Sequence, residues 1–356
     1  MTSPTRVIYP IDTEQPWPRN QWWVAANASE VTRTPMERTI LGEPVVLYRT
    51  EAGDPVAMAG VCPHRGYPMV KAKVVGDALE CGYHGFTFNC DGACARIPSQ
   101  DKVPPNWKIR TYPAVQRWEW VWIWTGDPAL ADPSKIPDPW CVDKPGWRSV
   151  VAERHTLQSR YTLLIDNLFD LSHLNFIHGN LVGDVMAVVK TTVQMTEAEG
   201  AFRLIRRVNH APWTDYFSFM FPHKSAEAQP VYTEVFSDYY GACLTVTGGP
   251  FYFQEPRVRL GEKNFLHAIT PETESTTHYF GDVTRDFRLD DAAFDGAAVA
   301  SYLAVRQQDL DALAFVEPNA GRFIMTRQEL SALQDAGGIR VRRLLAAQIE
   351  SESKGS

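Results

Sequence analysis

The chain is poor in cysteine, carries no excess of positive charge and has no long apolar run. Six cysteines in 356 residues are too few for a disulfide scaffold. A net charge of −7 supplies no basic field for nucleic acid or an anionic membrane. No apolar run approaches the ~18–20 residues needed to cross a bilayer. Between Met1 and Asn20 stand Pro4, Pro10, Pro16 and Pro18 with Asp12 and Glu14, which argues against the apolar core of a signal peptide. A cytoplasmic protein with no nucleic-acid and no membrane partner is expected. There is no internal repeat and no low-complexity tract. What is there is an ordinary globular composition, 44% hydrophobic and 22% charged, at a length suited to roughly two domains of ~150 residues.

Residues 20 to 130 read as β-rich. Runs such as Pro44–Tyr48 and Trp118–Trp124 are cut by Gly and Pro turns, and Asn89-Cys90-Asp91-Gly92 predicts a hairpin turn after Thr87-Phe88. The Pro- and Asp-rich stretch Asp127 to Pro145 marks a boundary. A strand is expected around Arg148–Thr156, then a helix from about Ser159 to Ile177 stopped by Gly179-Asn180. Strands follow at Val188–Met195, Phe202–Val208, Thr233–Phe236 and Leu244–Val246. A long helix spans Asp290 to Val316 with Pro318 as its stop. A last amphipathic helix runs from Ile339 to Glu350 before a frayed polar tail, Ser351 to Ser356. The expected division is an extension 1–19, a first domain 20–130, a linker 131–147, a second domain 148–350 and a tail 351–356.

Two clusters carry chemistry. The first is Cys62-Pro63-His64, sixteen intervening residues, then Cys81-Gly82-Tyr83-His84. In a mixed two-iron, two-sulfur centre, two thiolates hold one iron and two imidazoles the other, and the loss of negative charge raises the potential. Gly66, Gly82 and Gly85 let backbone N–H groups approach the sulfurs, and Pro63 stiffens the loop. A Cys2His2 zinc site is the rival, but finger histidines follow as a separate pair on a helix. Here each histidine shares a loop with a cysteine. Cys90, Cys94, Cys141 and Cys243 fall outside the pattern and are read as small buried or turn residues.

The second cluster is Asp166-Asn167-Leu168-Phe169-Asp170-Leu171-Ser172-His173 with His178 behind it. Histidines five apart on a regular helix point about 140° from one another, so they converge only if the last turn loosens. Two histidines and a carboxylate leave open positions on a mononuclear iron. Asp170 is the local candidate for the carboxylate; Asp309 and Asp311 are distal ones. Asp309 shares a helical face with Tyr302, Val305, Ala312, Leu313 and Val316, and a carboxylate on an apolar stripe is costly unless paired or metal-bound. Asp309 is therefore chosen as the ligand. Asp170 is left with another role, such as a hydrogen bond to a cluster histidine. His155, His210, His223, His267 and His278 carry less information and are mostly read as packed or surface residues.

These residues resemble the catalytic subunit of Rieske non-haem iron oxygenases, most closely the vanillate O-demethylase and dicamba monooxygenase group. Gln21–Ala25, the two cluster loops, the Asp166–His173 helix, Gln308-Asp309 and Ala336-Gly337-Gly338 all carry the likeness. The resemblance implies an α+β chain: an N-terminal Rieske [2Fe-2S] β domain and a C-terminal helix-grip catalytic domain, an antiparallel sheet gripping helices. It implies a [2Fe-2S] cluster on Cys62, His64, Cys81 and His84, and a mononuclear Fe(II) on His173, His178 and Asp309. It also implies a head-to-tail homotrimer in which Asp170 bridges His84 of one chain to His173 of the next, with Asn167 close to the iron.

The implied activity is that of a terminal oxygenase, hydroxylating or demethylating (at O or N) a small aromatic or heterocyclic substrate with dioxygen. Electrons come from NAD(P)H through a separate flavin and iron–sulfur reductase or a ferredoxin. A ring-dihydroxylating dioxygenase and a pure electron carrier are the competing expectations. Residues 179 to 290 match the group only loosely. Phe265-Leu266-His267-Ala268-Ile269-Thr270-Pro271 looks like a pocket-lining strand, which makes His267 a substrate-binding candidate. Aromatics crowd the same region, among them Trp213, Tyr216, Phe217 and Phe251, and are read as core more often than pocket. Tyr67 and Tyr83 stand where the respiratory Rieske proteins carry an extra cysteine pair.

Overall fold

The computed structural model describes residues 16–182, 190–198, 201–320 and 329–354. The chain divides into two compact units. One is Trp17–Ile136 with Thr270–Glu274; the other holds Pro137–Ile269 and Ser275–Ser356.

The first unit contains β1 (Trp22–Asn27), β2 (Met36–Ile40), β3 (Glu43–Arg49), β4 (Pro55–Ala59), β5 (Lys73–Val75), β6 (Ala78–Glu80), β7 (Thr87–Phe88), β8 (Cys94–Arg96), β9 (Thr111–Tyr112), β10 (Ala114–Arg117) and β11 (Trp120–Trp124). They form three antiparallel sheets ordered β1-β11-β10, β2-β3-β4-β9 and β5-β6-β7-β8. β1 and β11 are buried along their whole length, so both read as continuous apolar runs rather than alternating ones. Trp118, expected inside that run, lies in the turn before β11 at φ +55. The expected Asn89–Gly92 hairpin is present: the Gly92 N–H donates to the Asn89 carbonyl at 2.8 Å between β7 and β8. Val46, Tyr48, Met58, Met69, Leu79 and Phe88 build the core, and Cys62 and Cys81 join it. Each large apolar side chain so buried contributes about 1.5–3 kcal/mol.

The second unit is one seven-stranded antiparallel sheet with helices. Its strands are β12 (Arg148–Leu157), β13 (Gln194–Ala198), β14 (Ala201–Ala211), β15 (Val231–Tyr239), β16 (Leu244–Phe253), β17 (Arg259–Thr273) and β18 (Thr276–Arg285), ordered β12-β18-β17-β16-β15-β14-β13. The helices are α1 (Tyr161–Phe169), α2 (Leu174–Ile177), α3 (Gly179–Val182), α4 (Asp215–Met220), α5 (Ala292–Asn319) and α6 (Ala336–Lys354). This is the expected α+β class.

Several boundaries differ from expectation. Val188 and Val189 lie outside the described residues, and the strand expected from there begins at Gln194. Pro318 does not stop the long helix, which runs on to Asn319; so near the end a proline removes only one ladder bond. The last helix starts three residues early and continues to Lys354, where Lys354 pairs with Glu350 at 2.6 Å. Ser351 to Lys354 are thus helical, and residues 355–356 lie outside the described part. The far end of the Phe265–Pro271 segment belongs to the first unit, where the Thr270 hydroxyl donates to the Val24 carbonyl at 2.8 Å.

Helices α1, α5 and α6 are locked by polar contacts and close packing. A Cβ on Gly337 would lie 2.4 Å from Leu204 Cδ1 and 3.3 Å from Phe169 Cδ1, so a larger residue there would force the Leu204 side chain to shift. Arg342 of α6 holds Asp166 of α1 with bonds of 3.0 and 2.9 Å. Glu317 of α5 accepts from the Arg160 backbone N–H at 2.9 Å, placing negative charge at the start of α1. At the other end of α5, Asp295 binds Arg148 and the fully buried Arg285.

The Asp295 carboxyl is held below the usual carboxylate range, first by the Arg148 hydrogen bond, against burial, and then by Arg285. The folded state therefore binds fewer protons than the unfolded chain, and the contact stabilises above the unfolded value of about 3.9. Asp295→Asn is expected to cost about 3 kcal/mol near pH 7, because Arg285 is left buried without its anion. Urea unfolding of both proteins from pH 7 downward should show the difference shrinking as pH falls through the depressed Asp295 value.

Candidate metal centres and active-site pocket

The two cluster loops are built alike. The Cys62 N–H donates to the Tyr67 carbonyl at 2.9 Å, and the Cys81 N–H to the Phe86 carbonyl at 2.8 Å. The Gly66 and Gly85 N–H groups close each loop onto Cys62 and Cys81 carbonyls at 3.0 Å, both glycines at φ +69. That conformation favours glycine at each loop end. The result sorts the four side chains. Cys62 and Cys81 are buried side by side, each 2% exposed, while His64 and His84 are exposed with ring centroids 4.7 Å apart.

Burial pushes the Cys62 thiol up to about 11, against backbone N–H donation from His64 and with the adjacent Cys81 adding to the rise. A bare thiolate is thus disfavoured there, and a cation that replaces the proton would reverse this. Two buried sulfurs beside two outward imidazoles fit a [2Fe-2S] cluster, which Cys62, Cys81, His64 and His84 would hold. Phe86 stacks under His64 at 4.4 Å, and Tyr83 lies 3.8 Å from His84.

In the second unit the expected single helix is broken. Asp170 leaves helical geometry at φ −111, ψ 96, and its carboxylate accepts from the Ser172 N–H at 2.8 Å and the Ser172 hydroxyl at 2.9 Å. This cap restarts the chain as a tight turn, Leu171–His173. Gly179-Asn180 do not stop the helix as expected: the second break is at His178 (φ −108, ψ 3), and α3 begins at Gly179. Two breaks replace the one loosened turn, and together they bring the histidines to one side, ring centroids 5.2 Å apart.

His173, His178 and Asp309 then offer donor atoms all within 4.8 Å of one another. Asp309 Oδ1 lies 3.1 Å from His178 Nε2 and 3.4 Å from His173 Nε2. The Nδ1 of His173 meets the Asp170 carbonyl at 2.5 Å, and the Nδ1 of His178 meets Gln308 Oε1 at 2.9 Å. With both Nδ1 atoms donating, both Nε2 atoms turn toward the carboxylate, where their lone pairs would be available to a metal. Asn167 donates to Asp309 Oδ1 at 3.0 Å. Burial holds His173 below the ordinary imidazole value; burial also opposes charge on His178, which Asp309 nevertheless carries above it. Two imidazoles and one carboxylate fit a mononuclear iron with open positions. Asp311 is exposed and accepts from Gln307 instead.

The triad forms part of the wall of a cavity of about 250 Å³. Tyr216, Phe217 and Phe251 line it, while Trp213, Phe219 and Phe221 pack into the neighbouring core. His267 also lines it, but both its nitrogens are engaged: Nε2 with the Thr247 hydroxyl at 2.8 Å and Nδ1 with the Tyr279 hydroxyl. Burial drives the His267 pKa down to about 3, with Arg306 adding to the fall, so the ring is neutral. Gln308 as a partner of His178, and Lys263 and Arg306 on the cavity wall, were not identified from sequence. The available signal was strand alternation, since Lys263 shares a face with Phe265 and His267.

A cluster-type β unit and a sheet-and-helix unit with a facial triad, in one chain, define the oxygenase component of a Rieske system. Residues 21–113 match the Rieske [2Fe-2S] domain family, and residues 157–351 match the vanillate O-demethylase oxygenase C-terminal domain family. The chain belongs to this family of Rieske oxygenases. It is 32% identical to the iron–sulfur subunit of a toluene-4-sulfonate monooxygenase system from Comamonas testosteroni, over 95% of this chain and 99% of that one. It is 34% identical to the dicamba O-demethylase oxygenase component of Stenotrophomonas maltophilia, over 78% of this chain and 81% of that one. The crystal structure of dicamba monooxygenase bound to 3,6-dichlorosalicylic acid superposes with a TM-score of 0.85 at 28% identity, covering 94% of this chain and 98% of that one. The protein is thus an iron–sulfur and non-haem iron monooxygenase component, dependent on a separate protein for electrons. Among the described residues no helix is long and apolar enough to cross a membrane.

Gln308→Leu is expected to weaken mononuclear iron binding about 10–100-fold by freeing the His178 ring. Iron retention against a graded chelator, with the cluster spectrum as internal control, measures it.

Proposed function

We propose that this chain is a cytoplasmic terminal oxygenase that hydroxylates or demethylates a small aromatic compound. Its electrons come from NAD(P)H through a flavin and iron–sulfur reductase or a ferredoxin. The observation that carries the reading is the convergence of His173, His178 and Asp309 on the wall of an aromatic cavity. When bound, the cluster of Cys62, His64, Cys81 and His84 supplies single electrons, and the iron of the triad supplies dioxygen activation. The protein's part is positioning. Asn167 restrains the Asp309 carboxylate, the Asp170 carbonyl and Gln308 fix the two imidazoles, and the cavity wall keeps bulk water from the reacting carbon.

The working assembly is proposed to be a homotrimer in which Asp170 joins His84 of one protomer to His173 of the next. Two observations support it. His84 is exposed on its loop, and Ser172 holds the Asp170 carboxylate in one rotamer at a half-buried position. The relatives named as demethylases and monooxygenases favour insertion of one oxygen atom over two.

The test separates the roles. Iron analysis should give about three irons per chain by ligand counting, against about two for a bare electron carrier. Asp170→Asn should keep both metal centres and the Rieske electron-paramagnetic signal while losing turnover by at least about 100-fold. Loss of mononuclear iron in Asp170→Asn together with its retention in Asp309→Ala would make Asp170 rather than Asp309 the ligand. Two labelled atoms in the product from labelled dioxygen would make the enzyme a dioxygenase.

A further inference from the structure

Lys263 is a buried cation inside the cavity. It is 2% exposed and lines the same wall as the triad. Its ammonium lies 4.6 Å from the Tyr216 ring centroid and 5.0 Å from that of Phe265. Among the described residues no carboxylate pairs with it and no acceptor hydrogen-bonds its ammonium. Burying an ammonium without an anion is costly. Two ring faces offset only part of that cost.

The rest of the wall adds to the imbalance. Arg306, 1% exposed, donates to the Glu153 carbonyl at 2.8 Å and to the Tyr302 hydroxyl at 3.2 Å, and among the described residues no carboxylate pairs with it. The one carboxylate among the described lining residues is Asp309, which belongs to the donor triad. His267 is neutral and already hydrogen-bonded at both nitrogens. The cavity therefore carries two cations against one committed anion, before any divalent metal is counted. A low-dielectric cavity with that balance favours a negatively charged occupant.

We infer that Lys263 anchors an anionic substituent, a carboxylate or a sulfonate, on the aromatic substrate. This rests on the oxygenase reading and narrows its substrate class to aromatic acids. Lys263 and His267 alternate on one face of β17, four residues or roughly 13 Å of strand apart. The wall thus has an unpaired ammonium at Lys263, whereas near His267 the cation is Arg306, already donating to the Tyr302 hydroxyl and the Glu153 carbonyl. An anion held at Lys263 fixes which ring position is presented for reaction.

The test is anaerobic calorimetry on the metal-loaded protein with matched probes: 3-methoxybenzoate against 3-methoxybenzamide, and 4-methylbenzenesulfonate against 4-methylbenzenesulfonamide. The wild type should bind at least one anion about 10–100-fold more tightly than its amide, the range of a charge-assisted hydrogen bond. The tighter arm assigns carboxylate or sulfonate. Lys263→Gln should bring that ratio close to one, and Lys263→Arg should keep most of it. The wild-type ratio needs no variant, so a misfolded Lys263→Gln does not rescue the idea. Equal or tighter binding of the amides, no binding of either anion, or an undiminished ratio in folded Lys263→Gln overturns it. Iron content and the Rieske signal on the same wild-type samples report on the oxygenase reading separately. Intact metals with no anion preference sink the anchor alone.

Discussion

A carboxylate buried on an apolar helix face is unstable as a bare charge, and the second unit is arranged around that fact. Asp309 projects from α5 into a cavity with no second carboxylate among its described lining residues. It is tolerated because Asn167 and two imidazole nitrogens meet it within hydrogen-bonding or ion-pair distance. Those partners come from one short stretch of chain, 167 to 178, and reach it only because that stretch is not a continuous helix. Asp170 ends α1 by capping the next turn through Ser172, and His178 steps out of helical geometry again. A regular helix would have pointed the two rings apart.

The helices that bring these groups together are themselves fixed at both ends. Asp295 ties the start of α5 to β12 and β18 through Arg148 and Arg285, and Glu317 ties its other end to the start of α1. Between those anchors, Asn167 and Asp309 meet where α1 and α5 pass in opposite directions. Arg342 and the glycine-faced start of α6 clamp α1 from another side. The triad therefore sits on elements that cannot slide relative to one another without exposing a buried charge.

Much of this was legible in the residues. The Cys-His spacing announced two similar loops, and the loops are indeed superimposable in their hydrogen bonding. The apolar face around Asp309 set it apart from Asp311, and the structure finds the first buried and the second exposed. The helix breaks were less legible. The loosened turn was foreseen near Gly179, whereas the cap was written in Asp170-Leu171-Ser172, a signal masked by the apolar periodicity around it. Pro318 misled for the opposite reason, since a stop signal has little force one residue from a helix end. Trp118 sat in an unbroken aromatic run, and only the hairpin register placed it in a turn.

By itself the sequence determined which donor atoms were available and, through loop spacing, that two cysteines and two histidines would be carried on two matching loops. Local chemistry suffices for that, because each loop is closed by its own backbone. Only the tertiary structure decided that β17 carries a lysine with no acidic partner among the described residues into the chamber that holds the triad, because β16, β17, α1 and α5 meet there across a hundred or more positions of chain. Charge balance in a cavity is a property of everything that lines it, and no stretch of residues read alone contains that sum.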